Sequence, residues 1–502
     1  MSDRTTWVGL DLGTQSVRAL AVSSSGEILA SASRPLRSVR EGSRHEQDPR
    51  SWWAASEDAL REMVGRIDRR RIRGLSVCST SGTVVLTDSS GTPVTPGIMY
   101  DDARAAERPA ILDAILTKGA DLWHRLGHRP QASWALPTLV YLHETGAWPA
   151  GAHVCHQGDY IMQQLAGHTL PTDSGQALKT GVDLATLLWP EDLFARLGLD
   201  PGRFPDVVLP GTRIGAVSAD AAERTGLPAG TPLFAGTTDG CAAQFASGAV
   251  RPGDWNSVLG TTLVIKGVSS TLVHEPTGAV YSHRAPYRDY WLPGGASSTG
   301  AGLVAAMFTD PELRDAGRCL PTWSEVPVCY PLAGVGERFP FLATDAVGLV
   351  ATDDTLVPAP QLRRLFDAPT ALAAVMLGVA CLERLCYDLL DLAGAPPAGT
   401  VRLTGGATRN TTWNQLRCDM LGVPVELPAS TEPALGSAML AASSESDLPD
   451  AARRMVRVTT SLTPTAREDG PAIGYQRFLD LLLRQGWISE PLAGHSRRRN
   501  AR

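Results

Sequence analysis

The chain has 502 residues, 20% of them charged, and a net charge of −6 at neutral pH, the make-up of an ordinary globular protein of two or three domains. That balance excludes a polyanion-binding surface, and the one dense basic run, HSRRRNAR near the C-terminus, reads as a solvated end. No apolar run reaches the roughly 18 residues of a membrane-spanning helix, no basic segment with an apolar core opens the chain, and eight cysteines without CxxC spacing suit buried free thiols. A cytoplasmic protein with no membrane or nucleic-acid partner is expected.

In chain order, residues 7–22 alternate apolar with small or polar residues around Asp11-Leu-Gly-Thr14, as a hairpin does, and Glu27–Ala32 supplies a further strand. Residues 51–70 have helical spacing through Trp52, Trp53, Ala59, Leu60, Met63 and Val64. GLSVCSTSGTVVLTD follows as a buried strand, a polar turn at Ser79–Gly82 and a second strand ending at Asp88. The pattern restarts near Thr231: TPLFAGTTDGCAAQFASGAV gives strand, turn and helix, and WNSVLGTTLVIKG repeats the opening hairpin. Helical patterns fill 367–394 and 411–421, and VRLTGGATRN between them is a strand entering a Gly-rich turn. An α/β fold is expected, with one lobe at 1–232, a second at 233–485 and a disordered tail at 486–502.

The two Gly-Thr turns carry the first chemical argument. Glycine lets a ligand approach the backbone, and successive N–H groups with a Thr hydroxyl form a concavity for anions. Each turn alone also reads as an ordinary hairpin. Neither has the GxxxxGK[ST] pattern of a P-loop. Asp11 beside the first turn would repel phosphate unless a divalent cation lies between them, the usual Mg²⁺ arrangement. Asp239, in FAGTTDG, reads either as a helix N-cap or as a general base for an attacking hydroxyl. Gly405 and Gly406 would let a flat ring lie on bare backbone, while Asn410 reads equally as the cap of the next helix. Lysine is nearly absent, with only Lys118, Lys179 and Lys266, and arginine cannot serve as a neutral base.

Together GLDLGTQSVRA, HEQDPRSWW, IMYDDARA, DYIMQQLAGHTLPTDSGQA, AGTTDGCAAQFASGAV, SVLGTTLVIKG, GERFP, TGGATRN and EPALGSAMLAA resemble, in order, the FGGY carbohydrate kinases of the actin, hexokinase and Hsp70 ATPase superfamily. The resemblance runs from Val8 to about Ala442. Within the family, CSTSGTVVLTD and YWLPGGAS are most similar to the D-ribulose kinase (pentulose kinase) group. It implies two ribonuclease H-like lobes around a cleft that closes on the sugar and excludes water.

Carried over by motif, the resemblance gives Asp11 the metal and part of the catalysis, with ATP and Mg²⁺ as cofactors. Gly13, Thr14, Gln15, Gly260, Thr261 and Thr262 would face phosphates. Asp239 would be the catalytic base, and Gly405, Gly406, Ala407 and Asn410 would hold adenosine. On the sugar side stand Ser81, Asp239 and Asp102, although Asp102 and Arg104 could simply pair with each other, and Lys179 could face the cleft or lie on the surface. Thr80-Ser81 replaces the Met-His pair typical of xylulose kinases, whereas Gln15 replaces the Ser usual in the ribulose group. The expected reaction is phosphorylation of a ketopentose, first D-ribulose, at its terminal hydroxyl by a monomer or homodimer. Xylulose, erythrulose, a polyol or glycerol, and a non-catalytic sugar-binding protein on this scaffold, are the alternatives. A chaperone-like or filament ATPase fits less well, because no peptide-binding domain is evident.

Overall fold

A computed structural model describes residues 5–352, 355–465 and 469–500. The chain forms two compact units. Unit 1 comprises residues 1–250, 282–292 and 430–457, and unit 2 comprises 251–281, 293–429 and 458–502.

Unit 1 is built on a mixed sheet whose strands lie in the order Arg213–Ala216, Pro232–Thr238, Ile72–Ser79, Thr6–Leu12, Ser16–Ser23, Ile28–Pro35. The last three form an antiparallel meander, and Thr6–Leu12, Ile72–Ser79 and Pro232–Thr238 run parallel. The helix Pro49–Val64 covers one face with Trp52, Leu60 and Met63, as its spacing predicts. The second, seven-stranded sheet holds Trp291–Ala296 (residues 291–292 counted with unit 1), Leu263–Gly267, Trp255–Leu259, Val401–Thr404 and Val425–Pro428 as neighbours. With the flanking strands Arg213–Ala216, Val280–Arg284 and Val458–Leu462 set aside, this is the same order as in unit 1: third, second, first, fourth, fifth. Each unit has its own apolar core.

The division differs from the one expected at 232/233. The strand Pro232–Thr238 pairs in parallel with Ile72–Ser79, so the helix after it also belongs to unit 1. A pattern of strand, turn and helix looks alike whether it opens a domain or closes one. Far along the chain, Pro433–Ala442 returns to unit 1. A Cβ on Gly9 would lie 1.7 Å from the Ala434 carbonyl oxygen, and one on Gly436 would lie 1.9 Å from that of Ala242. Both glycines are therefore required by backbone-to-backbone contact.

The expected disordered tail is instead a helix, Glu490–Asn500. Leu492 and Ala493 are buried, while Arg497 pairs with Asp480 at 2.7 Å and Arg499 with Asp388 at 3.0 Å. Its basic residues answer acidic groups of unit 2, which a reading of local charge alone misses.

The 25-residue helix Ala368–Leu392 is long and apolar enough to cross a bilayer, yet it is the buried centre of unit 2. Its charges are paired internally. Glu383 takes Arg417 in a two-pronged bond (2.6 and 2.9 Å) and accepts from the Ser257 hydroxyl, with both charged side chains 0% exposed. Breaking such a pair strands the surviving charge. Glu383→Ala is expected to cost about 3–5 kcal/mol, read as a lowered urea midpoint; a cost under about 1 kcal/mol would contradict that account.

Candidate active site

The carboxyl ends of parallel strands are where α/β sheets collect ligand-binding groups, and unit 1 places its acidic pair there. Asp11 is the penultimate residue of Thr6–Leu12 and lies in register with Cys78 on the neighbouring strand, which in turn faces Thr237 on the next. Asp239 follows directly as the first residue of the helix Asp239–Ser247. The cap of that helix is Thr238, whose hydroxyl accepts from the Cys241 N–H, so the capping role weighed for Asp239 is filled by its neighbour. The Asp239 Oδ1 accepts the Gly240 N–H at 2.6 Å.

Burial, and next the charge of Asp239, push the Asp11 carboxyl up to about 7. Glu432 adds to the rise, while a 3.5 Å hydrogen bond from the Cys78 thiol and the charge of Arg18 oppose it. Cys78 itself is driven well above the usual thiol range, first by burial and then by Asp11. Two carboxylates that raise each other's cost of ionisation want a cation. Among the described residues no group of three or more His, Cys, Asp or Glu could hold a metal alone. A hard cation held by one or two carboxylates with substrate phosphates supplying further oxygens suits this donor set.

The first Gly-Thr turn follows Asp11 directly, with the Gly13 N–H donating to the Ser16 carbonyl at 3.0 Å. Thr14 is half-buried and Gln15 exposed. Gln47 braces this turn from behind. Its Nε2 donates to the Thr14 carbonyl at 2.7 Å, and its Oε1 accepts from the Trp52 indole.

Ser81 sits in the turn after Ile72–Ser79, its hydroxyl buried and without a partner. Lys179 donates to the Ser81 carbonyl at 2.9 Å and lays its stem over Gly82, so it is a brace of the turn rather than a surface lysine. Gln157 accepts from the Thr80 hydroxyl at 2.8 Å, and Gln176 donates to the Ser79 hydroxyl at 2.8 Å. Neither glutamine was singled out in the sequence, although Gln176 lies in the DYIMQQ…TDSGQA stretch and Gln157 two residues before it. Asp102 does not join the site. It is 1% exposed, and its oxygens accept the His45 N–H and three N–H groups of Arg104. The pairing alternative describes it, and its expected place against the sugar is withdrawn because its lone pairs are already used.

In unit 2 the second turn resembles the first but is one residue tighter: the Gly260 N–H donates to the Thr262 carbonyl at 3.1 Å, between the paired Leu259 and Leu263. Gly405 lies against this hairpin with φ +88°, where a Cβ would come within 2.5 Å of the Leu259 carbonyl oxygen, so both its conformation and its position demand glycine. Asn410 caps the helix Thr411–Leu421 by accepting the Trp413 N–H at 2.9 Å. Gly406, Ala407 and Asn410 line one side of a cavity of about 710 Å³, with Phe308, Leu372 and Trp413 among its apolar walls, a size and lining suited to a small planar ligand.

Taken as a fold, two ribonuclease H-like sheets, each with a Gly-Thr hairpin, define an ATPase of the actin and hexokinase type. The models of the FGGY family of carbohydrate kinases match residues 6–246 with the N-terminal domain and 256–445 with the C-terminal domain; the chain belongs to that family and is an ATP-dependent sugar kinase. It is similar to the xylulose kinase of Streptomyces coelicolor, 32% identical over 450 residues and 87% of each chain. The xylulose kinase of Streptomyces rubiginosus is likewise 32% identical, over 87% of each chain. Among solved structures, the xylulose kinase of Rhodospirillum rubrum superposes with a TM-score of 0.84 at 27% identity, over 96% of this chain and 99% of that one.

Proposed function

We propose that the chain phosphorylates a ketopentose at its terminal hydroxyl, with Asp239 as general base. The observation that carries this reading is the Asp11–Asp239 pair at the carboxyl ends of two parallel strands that flank Ile72–Ser79, with Asp239 relieved of capping. The hydroxyl oxygen bonds to the γ-phosphorus of ATP as the bond to the bridging oxygen of ADP breaks, and the proton passes to the Asp239 carboxylate. Such transfers ask mainly for positioning and charge stabilisation. Mg²⁺, held through Asp11, would neutralise phosphate charge when bound. Thr14 of unit 1 and Thr261 and Thr262 of unit 2 would offer N–H and hydroxyl groups to phosphate oxygens, while Gly13 and Gly260, whose N–H groups close their own turns, let the phosphates approach the backbone. The unit 2 cavity takes adenosine against Gly405, Gly406 and Ala407, with Asn410 shaping its edge as a helix cap.

Ser81 addresses the sugar. Its turn is held by Thr80, Gln157 and Lys179, and Thr80-Ser81 in place of Met-His favours D-ribulose as acceptor. The names of the relatives support D-xylulose as a second reading. An ADP-release assay over D- and L-ketopentoses, erythrulose, polyols and glycerol is expected to give kcat/KM for D-ribulose at least tenfold above every other compound. Preference for D-xylulose would transfer the substrate assignment and keep the mechanism. Sugar binding without turnover of any compound would overturn the catalytic reading.

A further inference from the structure

The GERFP motif lies apart from the residues given a role above, yet its carboxylate is among the most heavily hydrogen-bonded groups of unit 2. Glu337 is 1% exposed. Its Oε1 accepts three backbone N–H groups, from Ser298 at 2.6 Å, Arg338 at 3.0 Å and Phe339 at 3.5 Å. Its Oε2 accepts three hydroxyls, from Ser297 at 2.9 Å, Thr299 at 2.8 Å and Tyr330 at 2.9 Å. Burying a carboxylate is costly, and a ring of donors is what makes it tolerable. Half of these donors come from one short stretch, Ser297–Thr299.

That stretch is the floor of the second Gly-Thr hairpin. The Leu263 N–H donates to the Thr299 carbonyl at 2.8 Å, and the Ser297 N–H donates to the Leu263 carbonyl at 2.9 Å. One step on, the Ala301 N–H reaches the Gly260 carbonyl at 2.9 Å and the Gly302 N–H reaches that of Thr261 at 3.1 Å. Gly300 is so close that a Cβ there would come within 2.6 Å of Thr262 backbone atoms. Ala301 then lines the same cavity as Gly406 and Ala407.

We infer that Glu337 is a positioning residue for the nucleotide: it clamps Ser297–Thr299 and thereby fixes both the Gly260–Thr262 turn and the Ala301 wall of the cavity. The inference rests on the reading of that turn and cavity as the ATP site. It assigns the carboxylate a geometric role rather than contact with the ligand. The two oxygens differ in what they require. Oε1 must accept, because backbone N–H groups surround it, whereas Oε2 faces hydroxyls that can rotate to accept instead. A glutamine with its amide nitrogen toward the hydroxyls preserves the clamp, and alanine destroys it.

The test is calorimetric titration with ADP, with unfolding midpoints and steady-state kinetics alongside. Thr299→Val removes one donor isosterically and is expected to weaken ADP about threefold. Glu337→Ala is expected to weaken it tenfold or more, and Glu337→Gln less than twofold. For Thr299→Val, KM for ATP should rise while kcat, KM for the sugar and the unfolding midpoint stay near wild type, a split that a general loss of structure would not give. Should Glu337→Ala fail to fold, Thr299→Val decides the matter alone. The inference is overturned if the wild type binds ADP and Thr299→Val matches it, or if Glu337→Gln loses as much binding as a folded Glu337→Ala. Failure of the wild type to bind ADP would instead remove the nucleotide reading of the cavity.

Discussion

Asp239→Asn is expected to lower phosphoryl transfer by about 10³–10⁴-fold, the upper part of the range for a lost general base, while leaving the fold and ADP affinity in place. The substitution keeps Oδ1, so the bond from the Gly240 N–H survives. Helix capping belongs to Thr238, so no cap is lost. What disappears is the ability to take a proton. Because Asp is a weak base, that proton moves late and the carboxylate also aligns the hydroxyl. The loss should therefore fall on kcat with KM for ATP nearly constant. A variant within tenfold of the wild-type rate would show that another group takes the proton.

Asp11→Asn should separate function from stability. Turnover is expected to drop at least a hundredfold at saturating Mg²⁺, since the neutral amide is a poor ligand for a hard cation. In the absence of nucleotide and metal the same variant should be the more stable protein. Burial and the Asp239 charge lift the Asp11 carboxyl from 3.8 to about 7. Its raised value means the folded state holds the proton more tightly than the unfolded state does. Its contribution to stability is thus full below about pH 4 and is lost as pH rises toward 7. Asparagine carries no such penalty. At pH 8 the variant should exceed wild type by on the order of 2–4 kcal/mol, and the gap should close by pH 4. Urea titrations at the two pH values measure this; an equal gap at both would exclude titration of Asp11 as its source. Active sites commonly store this kind of instability.

How much of this was legible in the sequence follows from the range of each interaction. The hairpins at Gly13 and Gly260 are local, and their turn chemistry announces them. Asp11 stands out because a carboxylate beside an anion cradle is chemically odd, whereas Asp239 reads locally as a helix cap just as well as a base. Asn410 is legible as a cap because the N–H it satisfies lies three residues away. Cys78 under Asp11, Gln47 behind Thr14 and Gln157 under Thr80 are not legible, because each gains its partner only when distant strands and helices meet. Asp102 shows the reverse: its motif suggests a ligand, and its burial with Arg104 shows where its lone pairs go. The domain boundary was misplaced for the same reason, since pairing of residues 232–238 with 72–79 leaves no local mark.

The return of Pro433–Ala442 to unit 1 bears on how the protein is made. A ribosome delivers the strand with Asp11 first and the helix with Asp239 next, but the helix that packs on both arrives only after residues 251–429, most of them unit 2. At roughly 5–20 residues per second, the glycine-bearing face of that strand, complete at Leu12, waits about twenty to eighty seconds for a cover that begins at Pro433. The nascent chain therefore carries an uncovered half-site through most of translation. A message cut short between the codons for Ser247 and Pro433 would yield a polypeptide holding Asp11, Asp239 and the complete first hairpin, yet lacking the element that closes the sheet behind them.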